Sequence, residues 1–495
     1  MNKLKAVSTA LFLAFAILGS AQQWEINFGD NSTYTWLNQG ITDREHNTIF
    51  FGKSGYDKTD YYPYFIRVDQ NGNHRSYVLG DEQFHNLNNL SMVQMENEKF
   101  FMVGEKEKST IYAIILDSDF NVLSYKRYDK PDNALSMVGG HLVLDHDGMV
   151  VLAGSCDYET AGGIWGGRYY FCRFDNQADT IASRFYTPET QPGIVAVEYD
   201  LDQLLLNPQT DGYVLLGYGI HSTSLLKYDY DFNYVSGYQL DANRELFFSI
   251  YSDHWLTNNQ LLAMGRVTSF NAPNMEIIGL SRVGLDGPME PINRLYCKKD
   301  TILQTQNRCM AYYNDTTIYC AINCMLALAG PDITQICLVD TEMELIGLKE
   351  ITTEESNYYT PGSILSTPDG GCIISVMEYQ AFGQNHAKGK IIKLLREDFN
   401  PILCSVSEVP KERLKAMAFP NPTKGELNID ISNLPPNLEN RVSITDVSGM
   451  TRMCRIIQGS GNLLTIDVSS LEPGAYLYSV YNKEKELFNG KFVKE

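Results

Sequence analysis

Hydrophobic and polar positions along this chain follow a four-part pattern, clearest between Leu205 and Leu240. LLLN is followed by a turn at Asp211-Gly212, then YVLLGYG, SLLKYD, a tight turn over Tyr230 to Asn233, and YVSGYQL. This reads as four strands joined by short connections. The second strand recurs as IFFG (Ile49 to Gly52), FFMVG (Phe100 to Gly104), VVLAG (Val150 to Gly154), LLAMG (Leu261 to Gly265), IYCAI (Ile318 to Ile322) and CIISV (Cys372 to Val376). A third strand ending in a polar turn follows each copy, with Asp69, Asp117, Asp175, Asp229 and Asp340 at one equivalent position, and Gly284 and Arg396 in place of Asp in the fifth and seventh copies. A spacing of roughly 50 to 60 residues marks a repeat architecture.

The second strands are almost continuously apolar, as expected of strands covered on both faces. Sheets stacked radially around an axis achieve that cover, and seven copies between Gln22 and about Val406 predict an all-β fold with a seven-bladed β-propeller. An open stack or two smaller β domains is the competing arrangement. WEINFGD (Trp24 to Asp30) resembles a fourth strand such as LSYKRYD (Leu123 to Asp129) but has no first three strands before it. It is therefore expected to dock on the last unit and join the ends of the ring. The glycines ending five of the second strands suit close approach where neighbouring units crowd.

Residues 1–21 carry Lys3 and Lys5, an apolar run and Gly19-Ser20-Ala21, the pattern of a secretory signal peptide cleaved after Ala21. The run is short for a membrane span, and no transmembrane segment is expected in the mature chain. The net charge of -20 disfavours a nucleic-acid partner and suits solubility outside the cell. Ten cysteines in an exported chain raise the prospect of disulfides. Cys156 and Cys324 occupy one repeat position, and Cys172 and Cys337 another, which makes Cys156–Cys172 and Cys324–Cys337 the candidate bridges. The alternative is that these are small core residues.

The turns DQNGN, DSDFN and DYDFN cluster oxygen ligands but lack the spacing of a calcium loop, so hairpin chemistry is the stronger reading and no metal or other cofactor is expected. The segment DYETAGGIWGGRYY in the third unit is the most distinctive irregular piece. Trp165 and Tyr158, with Asp157 behind them, are the candidate ligand contacts, against the alternative that Trp165 caps a neighbouring unit. No HExxH, G-x-S-x-G or glycine-rich phosphate loop occurs, and His221 and His254, with Asp253 adjacent, fall in segments read as loops. No catalytic residue is assigned.

After Val406 the repeat stops. Residues 407–416 form a charged linker, and residues 417–495 contain short alternating strands that predict a small immunoglobulin-like β-sandwich. FPNPTKGELNI, ITDVSGM, LEPGAYLYSV and the terminal KFVKE of this segment resemble the type A C-terminal sorting domain of the Bacteroidetes type IX secretion system. The resemblance rests on Phe419, Pro420, Asn421, Pro422, Gly425, Gly449, Gly474, Tyr476, Lys491, Phe492, Val493 and Lys494. It implies export through that machinery as a partner, and commonly removal of the domain with attachment of the rest to surface lipopolysaccharide. The expected protein is secreted or displayed on the outer-membrane surface. Its propeller is read as a binding or scaffolding module for an unknown protein or glycan, with an extracellular hydrolase or lyase as the alternative.

Overall fold

The computed structural model describes residues 23–30, 32–159, 165–186, 200–219, 222–239, 246–269, 272–286, 293–294, 301–304, 309–326, 333–352, 358–379, 387–401, 418–430, 440–446, 451–457, 463–482 and 486–495. The signal segment 1–21, the linker 407–416, His221 and Gly449 lie outside the described residues. The chain divides into two compact units, Met1–Leu403 and Cys404–Glu495. Both are all-β, and no α-helix occurs among the described residues.

In the first unit the strands form consecutive antiparallel meanders. The first is Tyr34–Thr42, Thr48–Asp57, Asp60–Val68 and His74–Val78; the second is Asn88–Gln94, Phe100–Lys106, Thr110–Leu116 and Val122–Asp129. The third comprises Ser136–Leu144, Val150–Glu159, Trp165–Phe174 and Thr180–Phe185, and the fourth Asp200–Leu206, Tyr213–Gly219, Ser222–Tyr228 and Tyr234–Gln239. The fifth contains Leu246–Thr257, Gln260–Ser269, Ala272–Gly284 and Asn293–Arg294. In the sixth, two short segments, Thr301–Gln304 and Met310–Asn314, share the role of first strand against Thr317–Leu326, before Ile333–Val339 and Leu345–Thr352. The last has Tyr358–Ser366, Cys372–Tyr379 and Ala387–Leu394, and its fourth strand is Trp24–Phe28, which pairs antiparallel with Ala387–Leu394 from Trp24↔Lys393 to Phe28↔Gly389. The start of the repeat region thus completes its final sheet.

The apolar runs have a direct explanation in the packing. Successive side chains of a strand point to opposite faces, so neighbours in sequence serve different sheets. Phe51 packs with Met92, Phe100 and Ile114 of the second sheet, whereas Phe50 packs with Ile373 and Ile391 of the last. Val151 faces Leu215 of the fourth sheet while Leu152 faces Ile115 of the second. Val214 and Leu216 join Leu261 and Ala263, Met264 and Leu280 join Ile318 and Ile336, and Cys320 and Ile336 share a core with Ile364 and Ile374. Each sheet is buried against the next, and the last against the first. The first strands also neighbour one another in that cyclic order.

A second set of links repeats with the sheets. A third-strand residue just before the turn is basic in five copies: Arg67, Arg173, Lys227 and Arg282 two residues before the Asp position, and Lys393 three before Arg396. Each reaches the third-to-fourth turn of the next sheet. Arg67 donates to Ser118 O at 3.3 Å, Arg173 to Tyr230 O at 2.6 Å, Arg282 to Thr341 O at 2.6 Å, and Lys227 to the Asp286 carboxylate. Lys393 reaches Gln70 O of the first sheet at 3.5 Å, beside Trp24 Nε1, which donates to the same oxygen at 3.3 Å. Where Ile115 takes the position, Lys126 and Tyr128 of the fourth strand bond Asp179 and Ala178 O instead. Three of these cations also pair within their own sheet: Arg67 with Asp43 at 2.5 Å, Arg173 with Asp145 at 2.9 Å and Lys393 with Asp369 at 2.5 Å.

The turn aspartates bind their own backbone. Asp69 Oδ1 accepts from Asn71 N and Asn73 N, and Asp117 Oδ1 from Asp119 N and Asn121 N. The third residue after Asp is left-handed in each such turn, at Gly72 (φ 87°), Phe120 (62°), Ala178 (65°), Phe232 (63°) and Met343 (64°). Phe120 and Phe232 offset that conformation by burying their rings in the inter-sheet cores. The second-strand glycines answer two constraints rather than the single one expected. A Cβ at Gly52 would lie 1.9 Å from Trp36 O of its own first strand, where the register slips between Leu37 and Gln39. At Gly217 it would lie 1.7 Å from the Tyr169 hydroxyl of the neighbouring sheet.

The C-terminal unit has a three-stranded sheet (Ala418–Phe419, Glu426–Asp430, Leu463–Asp467) and a four-stranded one (Asn440–Asp446, Thr451–Ile457, Gly474–Asn482, Glu486–Lys494). They share one core, with Leu427, Ile429 and Ile466 from the first and Val442, Ile444, Tyr478, Val480 and Phe492 from the second.

Two predictions follow from the links. Arg173 and Asp145 are both almost fully buried, so Arg173→Met strands a carboxylate and should cost about 3–5 kcal/mol in thermal or denaturant unfolding, while the exposed Arg184→Met changes little. At Asp369, burial raises the carboxyl, but Lys393 and Thr367 lower it by more, and the group titrates below its ordinary value. A depressed carboxylate contributes stability above its unfolded pKa that is lost as pH falls through the folded one. Melting-temperature scans should therefore show wild type more stable than Asp369→Asn near neutrality, with the difference vanishing in acid; a constant difference contradicts the pairing.

Candidate binding surface and sorting strand

Of the sequence-chosen contacts in the third sheet, Tyr158 and Asp157 are described in full. The segment around them is largely hairpin, paired from Val150↔Phe174 out to Glu159↔Trp165. Tyr158 is only 3% exposed and packs in the core between the second and third sheets, which removes it as a ligand contact. Asp157 accepts a 2.5 Å hydrogen bond from Ser136 Oγ at the sheet end. Residues 160–164 and the Trp165 side chain lie outside the described residues.

The disulfide expectation is corrected by strand register. Cys172 stands opposite Leu152, and Cys156 opposite Arg168, so the two sulfurs are four residues out of step on one face. Both thiols are free and buried, and burial pushes each up to about 12. Cys337 is likewise free, opposite Cys320, while Cys324 stands opposite Ile333 with its side chain outside the described residues. Equal repeat positions placed these cysteines on paired strands but not at paired sites. His254, expected in a loop, lies inside the strand Leu246–Thr257 and stacks on Tyr312 at 3.8 Å between ring centroids; burial lowers its pKa. No group of three potential metal ligands converges among the described residues.

A different cluster forms at the same end of the first sheet. Trp36, Lys53 and Pro63 are aligned across three strands, and one step along the same face come Tyr34, Gly55 and Tyr61. This face looks toward the second sheet, whose Asn88 closes its side. Tyr34 and Trp36 lie parallel within 9°, with centroids 6.2 Å apart. The Lys53 ammonium sits 4.4 Å from the Tyr61 ring centroid and 3.5 Å from Asn88 Oδ1, which also accepts from the Tyr61 hydroxyl. Burial lowers the pKa of Lys53, and among the described residues no carboxylate lies within ion-pairing distance of it. The nearby Glu105 is 2% exposed and committed elsewhere, accepting from Asn89 Nδ2 at 2.7 Å and Lys108 N at 3.0 Å; burial raises its pKa in spite of those bonds. Tyr34, Trp36 and Lys53 all remain partly open to solvent. The signal for this site was available in YTW and GKSGY, but only pairing register brings the two segments together.

In the C-terminal unit the two ends of the sorting motif meet. Asn421 Oδ1 accepts from Val493 N at 2.9 Å and its Nδ2 donates to Lys491 O at 3.2 Å. Thr423 N donates to Val493 O, and Glu495 N to Thr423 O, both at 2.9 Å. Pro420 and Pro422 follow cis peptide bonds and are exposed, as are Phe419 and Asn421. The terminal strand pairs with Gly474–Asn482 on its other side, from Gly474↔Lys494 through Tyr476↔Phe492. It buries Phe492 against Tyr476 and leaves Lys491 and Val493 outward, Val493 near the exposed Leu477. Gly425 begins the turn into Glu426–Asp430, and its carbonyl accepts from Val468 N.

No curated protein matches the chain. Among solved structures it is similar to a fungal alcohol oxidase of the AA5 family in complex with copper, at 12% identity over 94% of this chain and 99% of that one, TM-score 0.44. It is also similar to the NanB sialidase of Streptococcus pneumoniae (10% identity, 77% and 72% covered, TM-score 0.40) and to a protein of unknown function from Bacteroides caccae (13%, 62% and 94%, TM-score 0.36). Likeness at these scores carries no argument about this chain's chemistry. Residues 417–495 match the family described as the secretion system C-terminal sorting domain. No described helix is long and apolar enough to cross a membrane. By that match the C-terminal segment is a type IX sorting domain, and the chain that carries it is a secreted or cell-surface protein.

Proposed function

We propose that this protein is a surface-displayed binding module: a seven-bladed β-propeller that captures a protein or glycan, delivered by an immunoglobulin-like sorting sandwich over residues 417–495. The cyclic order of the inter-sheet cores and the completion of the last sheet by Trp24–Phe28 support the closed ring. Two antiparallel sheets over one core, with the Tyr476 hydroxyl bonded to Glu472 O four residues back, support the sandwich assignment. The observation that carries the binding reading is the partly open cluster of Tyr34, Trp36 and Lys53. Aromatic rings combine large contact area with little flexibility, and a cation held among them with no counter-ion among the described residues has unused capacity for a partner. Asp157 stands at the equivalent end of the third unit, paired with Gly167.

Export and binding are separately testable. Deleting residues 490–495 removes the strand that Asn421 and Thr423 hold, and the protein should accumulate in the periplasm. Asn421→Ala should reduce surface display without preventing folding, measured by surface labelling against whole-cell content; normal display of both variants contradicts the role of the staple. For binding, Trp36→Ala should remove most of the response of the mature chain on glycan and protein arrays while lowering the melting temperature little. Responses that survive Trp36→Ala locate binding elsewhere.

A further inference from the structure

We propose that the Tyr34–Trp36–Lys53 surface recognises an acidic sugar, a glycan unit whose carboxylate pairs with the Lys53 ammonium while its ring packs on the indole of Trp36. The inference rests on the reading of this cluster as a binding surface and adds the class of ligand.

The argument begins with charge. The chain carries -20, yet among the described residues this half-buried cation has an amide oxygen at 3.5 Å and a ring face at 4.4 Å but no carboxylate within ion-pairing distance. Neither neutralises it. The ring contributes a cation–π attraction, worth about 0.5–1 kcal/mol at a partly exposed site, well short of a charge-assisted pair in a low-dielectric pocket. Glu105, on the neighbouring second sheet, has its oxygens engaged by Asn89 and Lys108. A structural lysine of this fold is paired, as Lys227 is with Asp286 and Lys393 with Asp369; Lys53 is left with an open valence for an anion.

The surroundings select which anion. A free inorganic ion has no use for parallel aromatic rings, whereas a pyranose presents an apolar C–H face that packs against the negative face of an aromatic system. Trp36 and Lys53 are cross-strand partners, so their side chains leave the sheet as neighbours on one face. A ligand with an apolar ring face and a carboxylate on the same ring, as in uronic and sialic acids, can meet both. Asn88, whose side-chain oxygen already accepts from Tyr61, fixes the wall on the opposite side.

The test uses the full mature chain on an array of uronate-containing and sialylated oligosaccharides, each beside its carboxyl-reduced neutral counterpart, together with peptides bearing free C-terminal carboxylates. Acidic glycans should bind at least tenfold more tightly than their neutral counterparts. Lys53→Met should bring that ratio close to one with an unchanged melting temperature, and Trp36→Ala should abolish both responses. Equal binding of acidic and neutral glycans that still depends on Trp36 overturns the acidic-sugar assignment and leaves the binding surface standing. A Lys53-dependent response to peptides alone also overturns it. Absence of any Trp36-dependent response removes the surface and the assignment together.

Discussion

Burial of each sheet between two others is the constraint on which the first unit depends. A single four-stranded meander exposes one apolar face or the other to water, and strands such as FFMVG and VVLAG have no polar face to offer. Because adjacent residues project oppositely, Phe50 and Phe51 can be satisfied only by two different neighbours, and so can Val151 and Leu152. An open array would leave its terminal sheets half uncovered. The pairing of Trp24–Phe28 with the last sheet and the shared core of Phe28, Phe50 and Ile391 remove both ends together.

On this apolar framework the basic residues act as directional links. Arg67, Arg173, Lys227, Arg282 and Lys393 each extend from a third strand into the next sheet's turn, where carbonyls and carboxylates converge. In the turns at Asp69, Asp117, Asp229 and Asp340 an Asx-type aspartate fixes the local backbone and the third residue on is left-handed, whereas the turn met by Lys227 has Gly284 in that place and offers the Asp286 carboxylate. Lys53, on a second strand, stands toward the opposite end of the first sheet, beside Asn88 of the second. The same residue chemistry therefore locks the structure at one end and is left available at the other.

The sorting domain uses a comparable economy. Its terminal strand has a paired side and a free side, and Asn421 covers the free side over Lys491 to Val493 with both ends of one amide. A short polar clamp blunts an edge that otherwise invites pairing with another chain, while Phe419, Leu477 and Val493 remain as exposed apolar contacts.

The sequence alone determined that the chain is all-β and repetitive, that Trp24–Phe28 lacks three partner strands, that the Asp-rich turns serve the backbone, and that residues 417–495 carry export information. These are local or periodic properties, and strand period, turn chemistry and a linear motif express them without reference to distant residues. Cross-strand register was decided only in three dimensions. It separated Cys156 from Cys172 by four positions, turned Tyr158 inward, and set Trp36 beside Lys53. A shift of one residue in pairing sends a side chain to the opposite face, and the slips in the first strands fall where bulges and glycines meet, as at Leu37 to Gln39 opposite Gly52. Which residues touch is therefore settled by the packing of whole sheets, and a pattern read along one strand does not contain that information.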